Sequence, residues 1–349
     1  MRKKMRVLSS KKEFIIEEDR EFDSAHASTL VQLKNKTVIS AWFGGSWEKG
    51  ADVAIWVAKR KNEIWSKPKK VVDTRAIAMW NPVLFQKEDD TIVLYYKVGA
   101  QIQHWTTWLI ESRDEGETWS IPRELVPGDT IGGRGPVKNK PIRLANGTIL
   151  APASLEGEIW DSFVDISHDD GETWEMSTMV PLRRASYDKQ AIDMPYEKHR
   201  CFGKGIIQPT LWQDSQGEVH MLLRSTSSKV FRSDSSDGGY SWNLAYATEL
   251  PNNNSGIDVV KLPSGTLVLA YNPTENLPNY YKGARTPLIL SYSKDNGETW
   301  KELITLEDAP GGYAYPAIIC NDEELLVTYT WKRERIVFWS IPYEEKDET

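Results

Sequence analysis

One eight-residue pattern recurs through this sequence and constrains its fold more than any other feature. The pattern reads Ser-x-Asp-x-Gly-x-(Thr or Ser)-Trp and occupies residues 112–119, 167–174, 235–242 and 293–300. A degenerate copy ends at Trp65, and the tryptophans that end successive copies are 54, 55, 68 and 58 residues apart. Asp and Gly favour a tight turn at a hairpin tip, and the Trp can pack the next strand back onto that hairpin. The spacing predicts one four-stranded antiparallel sheet for each repeat.

Each repeat also opens with two apolar, alternating strands around a polar turn. Six such openings begin near His26, Asn81, Lys140, Gln208, Ser255 and Tyr315. The sequence therefore predicts an all-β chain folded as a six-bladed β-propeller, with residues 1–349 forming a single domain. We expect residues 13–22 to supply the outermost strand of the last blade and so to close the ring. Residues 183–205 form the longest insertion and are expected to overhang one face.

Composition narrows the possible partners. The 43 basic and 50 acidic residues leave a net charge of −7, which does not fit a protein that binds nucleic acid. The start of the chain is basic but lacks the apolar stretch of a signal peptide, and no apolar run reaches the length of a membrane span. We therefore expect a protein without a membrane span that is cytoplasmic, or secreted if a signal peptide has been removed. The five histidines and two cysteines show no ligand spacing, so neither a metal nor another cofactor is expected.

In a propeller, the starts of the inner strands and the ends of the second strands meet at one mouth of the central channel. Most residues at these positions carry a hydrogen-bonding group, which suits a sugar that bears a carboxylate. The candidates for binding the substrate are Trp80, Asn81, Lys97, Arg134, Lys138, Lys140, Gln208, Arg224, Arg285 and Tyr313. Lys138 and Lys140 alternate along a strand, so one of them is expected to form an ion pair instead.

The repeats resemble the Asp boxes of the sialidase (neuraminidase) superfamily over essentially the whole chain. The segments that begin at His26, Trp80, Lys138 and Ser255 are similar to a neuraminidase-like branch of that superfamily. Sialidases hold the substrate carboxylate with three arginines, use an Asp as general acid/base and use a Tyr, activated by a Glu, as nucleophile. The resemblance implies that Arg224 and Arg285 are the second and third arginines. It places Tyr315 at the position of the nucleophile and Asp52 near that of the acid/base.

Two departures from the sialidase pattern concern the same site. The opening Arg-Ile-Pro motif, which supplies the first arginine, is replaced by residues 25–27, with His26 at its centre. Gln208 stands where the activating Glu is expected, and an amide cannot serve as a base. Other propellers of the superfamily act on rhamnose–glucuronate bonds through a histidine, so His26 is a third catalytic candidate besides Asp52 and Tyr315.

These observations favour an exo-acting glycoside hydrolase that needs no metal and removes a terminal acidic sugar, either sialic-acid-like or a uronate, from a glycan or oligosaccharide. A lyase or hydrolase of a rhamnose–uronate linkage and a non-catalytic glycan-binding propeller are the two alternatives. Each candidate residue also has a structural interpretation. Tyr315 could fill the channel, Asp52 could shape a Gly-rich turn, and His26 could be a buried structural histidine.

Overall fold

Six antiparallel sheets make up the computed structural model, which describes residues 3–74, 76–185, 198–278 and 280–347. The sheets follow one another along the chain as the blades of a six-bladed β-propeller, so the predicted all-β fold is confirmed. Blade 1 contains β3 (Ser24–Gln32), β4 (Val38–Gly45), β5 (Ala54–Lys61), β6 (Ile64–Trp65) and β7 (Lys69–Val72). Blade 2 contains β8 (Met79–Gln86), β9 (Ile92–Val98), β10 (Thr106–Ser112) and β11 (Arg123–Glu124). Blade 3 contains β12 (Ile142–Arg143), β13 (Ile149–Glu156), β14 (Trp160–Ser167) and β15 (Glu175–Met176).

The last three blades repeat this order from the inner strand outward. Blade 4 contains β18 (Ile206–Gln213), β19 (Val219–Ser225), β20 (Lys229–Ser235) and β21 (Tyr246–Pro251). Blade 5 contains β22 (Asp258–Lys261), β23 (Leu267–Tyr271), β24 (Leu288–Ser293) and β25 (Lys301–Glu307). Blade 6 contains β26 (Tyr313–Cys320), β27 (Glu324–Trp331) and β28 (Arg335–Asp347). Between blades 3 and 4, the short strands β16 (Arg183–Ala185) and β17 (Arg200–Phe202) pair in parallel. They border the long insertion, whose residues 186–197 lie outside the described part of the chain.

The N-terminal segment forms the outer edge of the sixth blade. Strands β1 (Lys3–Val7) and β2 (Lys11–Phe14) both pair antiparallel with β28. The pairing residues therefore begin before the range 13–22 that the sequence suggested, and residues 15–22 form no strand. The reason is that β28 is 13 residues long and so has room for two successive partner strands.

The repeated pattern forms the hairpin turns that the sequence predicted. In the first copy, the Asp114 carboxylate accepts hydrogen bonds from the backbone N–H and the hydroxyl of Thr118, at 2.9 and 2.5 Å. These bonds, led by the one from the hydroxyl, lower the pKa of Asp114 to about 2. Gly116 takes a φ of 77°, which a residue without a Cβ adopts at little cost.

Inner strands β3, β8, β18 and β26 each contain a β-bulge near the start of the strand. The residues with positive φ at these bulges are Ala27 (55°), Asn81 (34°), Gln208 (54°) and Tyr315 (55°). A bulge re-aims the side chain at the irregular position, and at a non-glycine residue this conformation costs about 1–3 kcal/mol. Proline follows three of the four, where the loss of a ladder N–H is tolerated.

Asp258 ties the inner strands together inside the channel. Its carboxylate oxygens lie 2.9 Å from the Nζ of Lys140, which approaches along the segment before β12. Its oxygens also accept the Thr210 hydroxyl of blade 4 at 2.7 Å and the Ile318 N–H of blade 6 at 2.9 Å. The Asp258 side chain is 1% exposed, so these partners replace the water that its charge has lost.

Among the described residues the only helix is a single 3₁₀ turn, Ile102–His104. No helix in this part of the chain is therefore long and apolar enough to span a membrane.

We predict that Lys140→Met destabilises the fold by about 3 kcal/mol, because Asp258 would remain buried without its cation. Urea unfolding measures this loss. Lys36 serves as the control, since its ion pair with Glu323 is exposed on both sides and Lys36→Met should cost less than about 1 kcal/mol. Equal unfolding midpoints for the two variants would contradict the role of the channel pair.

Candidate functional site

A cleft of about 830 Å³ opens at the end of the channel where the inner strands begin. Glu156 at the end of β13 and Arg224 near the end of β19 line it, together with Tyr315 near the start of β26. The sequence analysis expected these strand ends to meet at one mouth, and the structure brings these three residues together there.

Tyr315 lies at the centre of the cleft. Its hydroxyl oxygen is 2.8 Å from Arg224 Nη1 and 3.3 Å from Gln208 Nε2. The His26 ring packs against the Tyr315 ring, with 4.3 Å between their centroids. The bulge conformation of Tyr315 and these contacts fix the phenol in place.

Gln208 links Tyr315 to a carboxyl group. Its Nε2 donates to Glu156 Oε1 at 3.1 Å, and its Oε1 accepts from Arg224 Nη1 at 3.0 Å. Burial raises the pKa of Glu156, although Arg224 and hydrogen bonds from Gln208 and Ser154 act in the opposite direction. The Gln208 amide therefore lies between the Tyr315 hydroxyl and the Glu156 carboxyl, where the sialidase pattern would place a carboxyl next to the tyrosine.

Four arginines line the cleft: Arg184, Arg224, Arg285 and Arg333. Arg184 forms an ion pair with Asp161. Arg224 is 6% exposed, and its Nε donates to Asn254 Oδ1 at 2.8 Å. Burial lowers the pKa of Arg285 to about 10, and the charges of Arg224 and Arg333 add to that lowering. The cleft therefore concentrates positive charge that is only partly balanced by nearby carboxylates.

Arg333 was missed by the sequence analysis. It lies in the turn between β27 and β28, with a φ of 64°, and its Nη1 is 2.9 Å from Glu48 Oε2. Arg333 comes two residues after the end of a second strand, at Trp331, and no family motif pointed to it. The charged hairpin tip that follows Trp331 was the available signal.

His26 is buried beneath the cleft, at 1% exposure. Its Nδ1 lies 2.8 Å from the Thr330 hydroxyl, while its Nε2 has no hydrogen-bond partner in the described residues. Burial holds the pKa of His26 well below its usual value, and the charges of Arg333, Arg285 and Arg224 lower it further. His26 does not line the cleft and its ring packs under Tyr315, which favours the structural interpretation of this residue.

Asp52 shapes the Gly-rich turn, which was the structural interpretation given for this residue. Its Oδ2 accepts the backbone N–H and the hydroxyl of Ser46 at 2.7 and 2.6 Å, which closes the loop between β4 and β5. These bonds lower the pKa of Asp52, so it is poorly suited to donate a proton. Glu48 and Lys49, from the same loop, line the cleft in its place.

One of the two channel lysines was expected to form an ion pair, and Lys140 does so with Asp258. Lys138, the other candidate for binding a ligand, is engaged by the scaffold. The Nζ of Lys138 donates to Asn139 Oδ1 at 2.8 Å, to the Ile257 carbonyl at 3.1 Å and to the Pro316 carbonyl. These bonds use all three ammonium hydrogens. Both lysines therefore hold the channel beneath Tyr315.

Lys97 and Arg134 are also structural. The Lys97 ammonium is fully buried and donates to the Thr107 hydroxyl and the Arg134 carbonyl, at 2.6 Å each. Burial lowers the pKa of Lys97 to about 7. Arg134 Nε contacts Asp165 Oδ1 at 2.7 Å and Nη2 donates to the Trp174 carbonyl at 3.0 Å. These pairs join blades 2 and 3.

The remaining predicted binding residues lie beside the cleft. Trp80 is 2% exposed and donates from Nε1 to the Gly99 carbonyl at 2.9 Å, although its edge borders a side cavity of about 390 Å³. Tyr313 packs against Trp331, with 6.5 Å between the ring centroids. Asn81 is buried at its own bulge. None of these three lines the main cleft.

One group of possible metal ligands occurs among the described residues, formed by Asp214, Glu218 and His220. The His220 nitrogens are 3.1 Å from Asp214 Oδ2 and 2.6 Å from Asp234 Oδ1. Both nitrogens are thus engaged. The group lies at the start of β19, whereas Arg224 lies near its cleft end, so it does not belong to the cleft.

Known proteins share this architecture. Residues 36–327 match the family described as the BNR repeat-like domain. A protein of unknown function from Dyadobacter fermentans superposes with a TM-score of 0.73 at 16% identity, covering 97% of this chain and 99% of that one.

Two solved structures carry named activities. The intramolecular trans-sialidase of Ruminococcus gnavus has a TM-score of 0.67 at 13% identity, with 95% of this chain and 96% of that chain covered. The sialidase of Trypanosoma rangeli has a TM-score of 0.71 at 14% identity and covers 95% of this chain, which spans only 59% of that enzyme. At these identities the likeness shows the fold alone. The chain therefore belongs to the BNR repeat-like family and shares the six-bladed propeller fold of sialidases.

Proposed function

We propose that this protein is an exo-acting glycoside hydrolase that removes a terminal acidic sugar, sialic-acid-like or a uronate, from a glycan or oligosaccharide. The observation that carries the proposal is the convergence of Arg224, Arg285 and Arg333 around Tyr315 in one cleft. The solved sialidases with the same fold support a carbohydrate as ligand.

The arginines would bind the sugar carboxylate. Guanidinium groups form strong, directional hydrogen bonds with carboxylates. The structure gives Arg224 Nη2 no hydrogen-bond partner among the described residues, which leaves this nitrogen for a ligand. In this proposal Arg333 takes the place of the first sialidase arginine, reaching the cleft from blade 6 instead of blade 1.

Glu156, rather than Asp52, would donate the proton to the leaving group. Its carboxyl lines the cleft, and its raised pKa favours the protonated form that a general acid needs. Oε1 already accepts from Gln208 and from the Ser154 hydroxyl, so the proton would be carried by the other oxygen. Tyr315 would act as nucleophile or as electrostatic stabiliser.

A non-catalytic glycan-binding propeller is the second candidate. The observation that favours it is Gln208 beside Tyr315, because the amide cannot remove a proton from the phenol. Cleavage of a rhamnose–uronate bond is a third candidate for the same cleft, but His26, the residue that suggested it, does not line the cleft.

A screen of purified protein tests these alternatives. It combines a fluorogenic sialoside with uronate-containing oligosaccharides and records both released sugar and ultraviolet absorbance. We expect a released acidic sugar without new absorbance, since hydrolysis forms no double bond. Tyr315→Phe should reduce turnover by at least about 100-fold, whereas Tyr313→Phe, on the same strand but outside the cleft, should not. New absorbance would indicate a lyase, and binding without any product would indicate a lectin.

Arg333→Met should weaken the binding of N-acetylneuraminate or glucuronate by about 10- to 100-fold, because one charge-assisted contact is lost. Isothermal titration calorimetry measures this change. The methyl ester of the same sugar should bind the wild-type and variant proteins alike. Arg123→Met, on the outer strand of blade 2, is the matched control. Equal affinity for acid and ester in the wild-type protein would contradict a carboxylate site.

Hydrolysis should decline as the pH rises through the raised pKa of Glu156, since only the protonated carboxyl can donate. The activity should therefore persist to higher pH than an ordinary glutamate would allow. Glu156→Gln should abolish this decline and lower kcat by about 100-fold. Glu175→Gln, on the outermost strand of the same blade, should leave the profile unchanged. A Glu156→Gln variant that kept the wild-type decline would exclude Glu156 as the acid.

A further inference from the structure

The Tyr315 hydroxyl lies between two hydrogen-bond donors. Arg224 Nη1 is 2.8 Å from the phenol oxygen and Gln208 Nε2 is 3.3 Å from it. Within the described residues these are the partners that the structure gives to this hydroxyl, and neither offers it an acceptor. A guanidinium can only donate, so Arg224 is the donor and the Tyr315 oxygen the acceptor in this contact.

The orientation of the Gln208 amide follows from the same rule. Arg224 Nη1 lies 3.0 Å from one end of the amide, and that end must be the oxygen because the arginine has nothing to accept with. The NH₂ group then faces Glu156 Oε1 at 3.1 Å and the Tyr315 oxygen. The hydrogen bond from Gln208 to Glu156 Oε1 is compatible with both the ionised and the protonated carboxyl, because Oε1 can accept while the other oxygen carries a proton.

The direction of the phenol proton is then determined. A phenol oxygen accepts hydrogen bonds with its lone pairs and donates its single proton elsewhere. Both donors occupy the accepting side of Tyr315. The proton therefore points toward neither Arg224 nor Gln208, and the open cleft is the direction that remains.

We infer that Tyr315 donates its hydroxyl hydrogen bond into the cleft, to the carboxylate of the bound sugar, and that Gln208 is the positioning residue that sets this direction. The identity of the ligand rests on the proposed function. A glutamate at position 208 would accept the phenol proton and turn it away from the cleft. Gln208 thus converts the tyrosine from a residue prepared to lose its proton into one that offers it to an anion.

This polarity bears on specificity. A carboxylate in the cleft would receive hydrogen bonds from the arginines and from Tyr315 together. This hydrogen-bond polarity favours a role for Tyr315 as an electrostatic stabiliser rather than as a nucleophile, since no described neighbour takes up the phenol proton. It would also favour ligands with an anionic acceptor at this position over their esters.

Neutron diffraction from crystals of the ligand-free, deuterium-exchanged protein tests the inference directly. We expect deuterium on the Tyr315 oxygen directed into the cleft and the ND₂ group of Gln208 facing Tyr315. A deuterium that points from Tyr315 toward Gln208, or a Tyr315 oxygen without deuterium, would overturn the inference. This measurement requires neither activity nor a ligand, so its failure is distinct from failure of the proposed function.

A double-mutant cycle provides the second measurement, with N-acetylneuraminate and glucuronate as probes in calorimetry. Tyr315→Phe should lower affinity about tenfold in the wild-type protein but less than about twofold in the Gln208→Glu background, where the proton already points away. Gln213→Glu adds the same charge at the other end of β18 and should preserve the tenfold loss. An equal loss in both backgrounds would contradict the inference. If neither sugar binds the wild-type protein, the proposed function fails while the neutron result still decides the position of the proton.

Discussion

The buried carboxylate of Asp258 is the interaction on which the geometry of the cleft depends. It receives Lys140 from the segment before blade 3, the Thr210 hydroxyl from blade 4 and the Ile318 N–H from blade 6. Thr210 follows Gln208 by two residues and Ile318 follows Tyr315 by three. A charge without water therefore fixes the relative position of the two strands whose bulges carry the central residues of the site.

The bulges explain why such firm anchoring is needed. Gln208 and Tyr315 both have positive φ, a conformation that each would lose if its strand were free to relax. Lys138 donates to the carbonyl of Pro316, next to Tyr315, and Asn139 Nδ2 donates to the Gln208 carbonyl at 3.0 Å. Lys138, which the sequence assigned to substrate binding, and its neighbour Asn139 thus hold strained backbone in position. Their polar groups form hydrogen bonds within the protein, so the arginines that line the cleft are the groups that remain to bind a ligand.

The fold could be predicted because its signal is local and repeated. Each Asp box closes its own turn within eight residues, so the spacing of the boxes predicted one four-stranded blade per repeat. The six strand openings then gave the number of blades without knowledge of any distant contact. The site was less predictable because its partners are remote in sequence. Lys140 pairs with a residue 118 positions away, and Asp52 was expected to be catalytic although its hydroxyl partner is only six residues distant. Arg333 was missed because a hairpin tip, rather than a strand end, delivers its charge.

The electrostatics of the cleft give the most general reason to expect an anionic ligand. Arg224, Arg285 and Arg333 repel one another, and burial adds a desolvation cost that is visible in the lowered pKa of Arg285. Glu48 forms an ion pair with Arg333, whereas Glu156 faces Gln208 and has a pKa that burial raises. The desolvation cost applies most strongly to Arg224, which is 6% exposed, since buried charge rarely favours folding. Under the proposed function, a carboxylate that enters the cleft would recover this cost as affinity.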